Sequence, residues 1–189
     1  MCGRYSLFTQ EDIAELNRII REVEAHGGKV KTGEIYPTNQ APVLLVLREG
    51  SQLEATALSW GFPGFKGSQV IINARAETAE EKKTFRESLF DRRCVIPSTG
   101  FYEWAKDKQK YRFNLPGSPM LYMAGFYKPY QDGARFVILT TAANPSVADI
   151  HNRMPVILTP EEQEVWVRDL SGAMDILHRT PPLLTKTAV

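Results

Sequence analysis

Between residues 94 and 141 the chain places four runs, CVIPSTGFYEW, KYRFNL, MLYMAGFY and RFVILTT, rich in β-branched and aromatic residues. The gaps between them are too short to hold a crossover helix, which a parallel pair of strands would need. Neighbouring strands are therefore expected to run antiparallel. MPVILT adds a further strand after a short predicted helix at PSVADI. The fold class is read as α+β: a curved, mainly antiparallel, barrel-like sheet with peripheral helices, and not a doubly wound sheet.

The rest of the sequence supplies the helices and shorter strands. Arg4 to Phe8 reads as a strand. Thr9 with Asp12 resembles a capping box, and Ile13, Leu16, Ile20 and Val23 follow at helical spacing until Gly27 and Gly28. APVLLVL and LEATALSW flank a Glu49-Gly50 turn and predict a hairpin. VIINARAET leaves a strand, EEKKTFRESLF predicts a helix, and Thr159, Pro160, Glu161 and Glu162 begin another. The Pro181-Pro182 pair is expected to open an irregular tail. With 189 residues, 43% of them hydrophobic, the chain 1–189 reads as one domain with a core of its own.

A net charge of +1 excludes nucleic-acid binding by bulk charge, so any such binding requires a local patch. Two cysteines, Cys2 and Cys94, make no disulfide framework. There is no signal-peptide pattern and no apolar run long enough to span a bilayer, so a cytoplasmic protein without membrane association is expected. His26, His151 and His178 show no metal-ligand spacing with one another or with the cysteines. No G-x-G-x-x-G or P-loop occurs, so neither a metal nor a cofactor is expected.

Several positions carry reactive or binding chemistry. Loss of Met1 would leave Cys2 with an α-amine and a thiol on neighbouring carbons. An α-amine titrates near pH 7.7–8.0, so much of it is neutral at physiological pH. It can form a Schiff base with an aldehyde, which the thiol closes into a thiazolidine. Alternatively, the thiolate attacks a carbonyl with the amine as base. In INARAET, alternation puts Asn73, Arg75 and Glu77 on one strand face, where Arg suits phosphate or carboxylate and Glu can orient it. The same segment also reads as a helix start with a surface ion pair. Glu103, among Phe101, Tyr102 and Trp104, suits a general acid or base of raised pKa if it faces inward, whereas the ordinary reading of strand alternation points it outward. His151 precedes Arg153 at the start of a strand. Trp60, Phe62 and Phe65 lie among glycines and can stack on bases or pack internally. Cys94 reads as a buried structural thiol.

Taken in order, Cys2-Gly3-Arg4, Trp60-Gly61, Asn73-Ala74-Arg75-Ala76-Glu77-Thr78, Arg92-Arg93-Cys94, Gly100-Phe101-Tyr102-Glu103-Trp104, Ala124-Gly125 and His151-Asn152-Arg153-Met154-Pro155-Val156-Ile157-Leu158 resemble the SOS response-associated peptidase (SRAP) family. The resemblance runs from residue 2 to about residue 158. It implies removal of Met1, by the self-processing behind the peptidase label, and capture of abasic sites in single-stranded DNA, junctions with duplex included, as a thiazolidine crosslink on Cys2. It implies that Asn73 orients the cysteine or sugar, that Glu103 transfers protons, and that His151 assists near the deoxyribose. Arg4, Arg75 and Arg153 would hold phosphates, Trp60 would stack on bases, and Pro37 and Thr38 would form the groove rim. The protein is expected to act as a monomer. Two other classes remain open on the residues: an N-terminal-nucleophile amidohydrolase resembling glutamine amidotransferases, and a module that binds damaged DNA without chemistry.

Overall fold

The computed structural model describes residues 2–9, 13–48, 50–64 and 69–189. In chain order these form β1 (Tyr5–Leu7), α1 (Ala14–Ala25), β2 (Gly33–Ile35), β3 (Gln40–Leu45), β4 (Glu54–Trp60), β5 (Phe62–Pro63), β6 (Val70–Ile71), β7 (Asn73–Arg75), α2 (Ala76–Ala79) and α3 (Arg86–Asp91). There follow β8 (Arg93–Ser98), β9 (Gly100–Trp104), β10 (Lys110–Asn114), β11 (Leu121–Lys128), β12 (Arg135–Ala142), β13 (Arg153–Pro155), β14 (Ile157–Leu158), α4 (Glu162–Arg168), α5 (Leu170–His178) and β15 (Thr185–Ala188).

The larger sheet closes on itself. β12 pairs with β4, β4 with β3, β3 with β8, β8 with β11, and β11 with β12 again. Within that ring only the β12–β4 pair is parallel. Closure removes the edges of the ring strands. β7, β13 and β14 extend the sheet from β12 and β11. β8 is buried along its whole length, because α3 and α4 pack on it as well as its sheet neighbours. That double burial is why Cys94 to Pro97 read as an unbroken apolar run rather than an alternating one.

The strands β8 and β11 approach each other with little room to spare. A Cβ placed on Gly125 would lie 2.4 Å from both Ile96 Cδ1 and the Val137 carbonyl oxygen. The Gly125→Ala variant is expected to lose about 1–3 kcal/mol of stability in urea denaturation, the usual cost of overpacking a tight core. An unchanged midpoint would mean that the ring can spread to admit a methyl group.

The second sheet has the order β15-β10-β9-β1-β2, all antiparallel. Register makes its two faces explicit, since directly paired residues share a face. Tyr5 pairs with Ile35 and Phe101, and Phe101 with Phe113; all four are fully buried and form the core face. Ser6, Glu34 and Gly100 lie on the opposite face, with Tyr102, Trp104, Lys110 and Arg112 in line along it.

Several local expectations need correction. PSVADI forms successive turns rather than a helix: the Asn144 side chain accepts from the Ser146 N–H (3.0 Å) and hydroxyl (2.6 Å), diverting the backbone locally. The tail after Pro182 is a strand, β15, because Asn144 Nδ2 donates to the Pro181 and Pro182 carbonyls and Ser146 Oγ accepts from the Leu184 N–H. Helix formation in EEKKTFRESLF is confined to α3. MPVILT is split at Val156, whose N–H donates to Leu139 while its carbonyl accepts from Ala124. α1 begins at Ala14 with Ile13, not Thr9, at its cap, buries Leu16, Ile19 and Val23, and ends at Ala25, two residues before Gly27, which has φ +78°. The β3–β4 hairpin forms as expected. Asp12, Glu49 and Phe65 lie outside the described residues.

Candidate active site

β1 carries the amino terminus toward β9. Tyr5 pairs with Phe101, and one step further the Tyr102 N–H donates to the Arg4 carbonyl at 2.9 Å. The same register sets Gly3 level with Glu103. Glu103 belongs to the core face of β9 with Phe101, which is why alternation turns it inward: it is 4% exposed. Cys2 is fully buried beside it, and its thiol lies 3.8 Å from the Arg4 carbonyl.

Two further residues arrive from the larger sheet. β7 lies parallel to β12, with Asn73 paired to Ile138, and Asn73 Nδ2 donates to the Cys2 carbonyl at 2.9 Å. His151 sits on the turn before β13. Its Nδ1 accepts from the Arg153 N–H at 3.0 Å, and its Nε2 lies 4.0 Å from Glu103 Oε2. The structure thus brings Cys2, Asn73, Glu103 and His151 together from four segments of the chain. A groove of about 490 Å3, lined by Trp104, Lys106, Asp149 and Asn152 among others, opens onto His151.

Burial dominates the electrostatics. It pushes the Cys2 thiol far above its ordinary range, and the nearby Glu103 carboxylate pushes it further. The Glu103 carboxyl is likewise raised by burial, with His151 acting against the rise. In this state the sulfur carries its proton, and the Glu103 carboxyl holds its proton to higher pH than an exposed carboxylate does. Among the described residues no cluster of His, Cys, Asp and Glu suits a metal ion, and no helix is long and apolar enough to cross a membrane.

The flanking residues are placed less uniformly. Arg4 is half-buried, with its guanidinium 4.3 Å from the Tyr36 ring centroid and 3.1 Å from Glu34. Arg75 is exposed at the end of β7. Pro37 is half-buried; Thr38 is exposed, with φ +72° and its N–H bound to the Trp60 carbonyl at 2.8 Å. A β-branched residue seldom holds that backbone conformation, so the β4 contact fixes the turn.

Three expectations are corrected here. Trp60 does not stack on bases: it is fully buried, with Nε1 donating to the Ile72 carbonyl and its ring against Tyr5 and Phe136. Glu77 does not share a strand face with Asn73 and Arg75, because α2 begins at Ala76. It reaches Arg153, which forks onto both Glu77 oxygens at 2.6 and 2.9 Å and also donates to the Thr140 carbonyl. Arg153 is therefore a clamp on the His151 turn rather than an open phosphate contact. Sequence reasoning missed Glu34, Tyr36, Lys110 and Trp104, which meet only when β10, β9, β1 and β2 align. The period-two spacing of Glu34-Tyr36 and Tyr102-Trp104 was the available signal. Phe62 and Cys94 are buried.

The family model for SOS response associated peptidase (SRAP) matches residues 1–186. The abasic site processing protein YoqW of Bacillus subtilis is 36% identical over 197 residues, spanning 94% of this chain and 85% of the relative. The abasic site processing protein YedK of Escherichia coli is 30% identical, spanning 91% and 82%. A solved structure from Bacteroides thetaiotaomicron superposes with a TM-score of 0.76 and 26% identity over all of this chain and 92% of that one. Another, from Bordetella bronchiseptica, reaches 0.77 at 23% identity and shares the fold. With the family model spanning nearly the whole sequence, the chain belongs to the SRAP family.

Proposed function

We propose that this chain processes abasic sites in single-stranded DNA, including those beside duplex junctions, by capturing the sugar aldehyde on Cys2. The observation that carries the reading is the buried Glu103 carboxyl, set level with Gly3, beside Cys2 and 4.0 Å from His151. Relatives named as abasic site processing proteins support the substrate.

Hydrolysis of the Met1–Cys2 peptide bond exposes the α-amine. The amine adds to the aldehyde of the ring-opened sugar, and loss of water gives an imine. The Cys2 sulfur then bonds to the imine carbon, its proton passes to nitrogen, and a thiazolidine closes. Glu103 delivers and removes protons in ring opening and imine formation. Asn73 holds the Cys2 carbonyl, and so aims the amine and thiol. His151 positions the deoxyribose or passes a proton. Arg4 and Arg75 meet flanking phosphates. The monomer suffices for these steps.

Burial of the Cys2 thiol supports this reading over the amidohydrolase alternative. Attack on an amide begins with a thiolate, which burial and the Glu103 charge both disfavour. Imine formation begins with the amine and uses the sulfur only afterwards.

Purified protein mixed with single-stranded DNA carrying one abasic site is expected to give a slow-migrating band on a denaturing gel, with an intact mass lacking Met1. Cys2→Ser should give little stable product. Its imine, lacking the thiol that completes the ring, should be trapped by borohydride. A stable Cys2→Ser adduct at the wild-type level would remove the thiazolidine from the mechanism, and absence of the wild-type band would remove the function.

A further inference from the structure

Outside the cluster around Cys2, the most densely charged part of the second sheet is its opposite face. There Glu34, on β2, is surrounded by donors from the residue just before β1, from β10 and from Tyr36 just past the end of its own strand. Its Oε2 accepts from Arg4 Nη1 at 3.1 Å and from the Tyr36 hydroxyl at 2.9 Å, and its Oε1 accepts from Lys110 Nζ. Arg4 lies 4.9 Å from the Trp104 ring centroid, and Lys110 lies 4.0 Å from that of Tyr102. Burial acts to raise the Glu34 pKa, but Lys110, Tyr36 and Arg4 overcome it, so the carboxyl is held below its ordinary value and is ionised at neutral pH.

Two cations and a hydroxyl, walled by aromatic rings and converging on two oxygens, form the donor set that recognises a phosphodiester. Here the two oxygens belong to the protein. We propose that Glu34 is a resident anion in a phosphate seat built by Arg4, Lys110 and Tyr36, and that a DNA phosphate must displace it to bind there. This rests on the single-strand reading above and deepens it. Displacement exchanges one anion for another, so the net gain is small, and the displaced carboxylate remains near the incoming phosphate. Strands without a lesion are therefore held weakly. A strand with a lesion is retained by its covalent bond, which does not depend on the seat.

The test uses a fluorescent oligothymidylate without abasic sites, followed by anisotropy over a salt series. Glu34→Gln keeps the shape and removes the charge. It is expected to bind on the order of tenfold tighter at low salt, with a steeper salt dependence by about 0.7 in slope, as for one further phosphate contact on a single strand. In a Lys110→Met background the gain from Glu34→Gln should shrink, because one of the cations it releases is missing. Unchanged or weaker binding by Glu34→Gln, or an equal gain in the Lys110→Met background, would overturn the proposal. A parallel arm mixes the wild-type protein with the abasic oligonucleotide. Loss of the Cys2-dependent band there would reject the abasic-site reading, independently of the oligothymidylate result.

Discussion

Glu103→Gln is expected to slow crosslink formation by about 10²–10⁴-fold, the range for removing a positioned proton-transfer group. Glu103 is buried, with His151 4.0 Å away as the neighbouring titratable group. The pH–rate profile of the wild-type protein should carry a limb set by the raised Glu103 pKa, and the glutamine variant should lack it. The same limb in both proteins would take Glu103 out of the chemistry. Stability should move the other way. A carboxyl whose folded pKa is raised stabilises the fold most when protonated. That contribution is complete below the unfolded value near 4.3 and is lost as pH rises through the raised folded value. At neutral pH the protein therefore bears the cost of a buried carboxylate that glutamine does not impose. Thermal melting should show Glu103→Gln gaining on the wild type as pH rises from the acid range, then holding a constant lead. A lower melting temperature at neutral pH would contradict burial as the cause of the shift.

Arg93→Met is expected to cost about 3–5 kcal/mol, a large part of the stability of an ordinary domain. The Arg93 side chain is enclosed, and its guanidinium donates to the carbonyls of Leu89, Phe90, Trp166 and Val167. Those carbonyls end α3 and α4, where helices leave acceptors without intrahelical partners. One side chain thus ties two helix ends to β8. Methionine fills the volume and strands the acceptors. Lysine keeps the charge but cannot fork, so Arg93→Lys should fall between the two. Urea denaturation measures both. A loss below about 1 kcal/mol for Arg93→Met would show that water can reach these carbonyls.

The sequence made the strands of the ring legible because double burial and β-branched composition coincide in them. The start of α4 lies later than the sequence suggests: the helix begins at Glu162 with Glu161, not Thr159, at its cap, and the Glu162 side chain only reaches back to accept from the Thr159 N–H at 2.8 Å. Elements that depend on a single distant partner were not legible. β15 is exposed throughout, so it carries no apolar pattern, and only its pairing with β10 and the Asn144 anchor define it. For Trp60 the residues alone left base stacking and internal packing both open, and only the fold shows its ring closing the core between Tyr5 and Phe136. Around Cys2, composition suggested each residue type, but the inward aim of Glu103 is a matter of register. Alternation says that residues 101 and 103 share a face; only pairing with Tyr5 and Phe113 says which face is inside.

The route of β1 also sets a timetable. Its short ladder to β2 forms from residues 33–35, but a pair of three-residue strands is not stable alone. Its other partner, β9, lies about 95 residues downstream, which a ribosome takes roughly 5–20 s to deliver. During that interval the start of the chain is an open thread. The enclosure that later surrounds the sulfur has yet to be built, so the Cys2 thiol is open to solvent throughout synthesis of the first hundred or so residues and is buried only once β9 arrives.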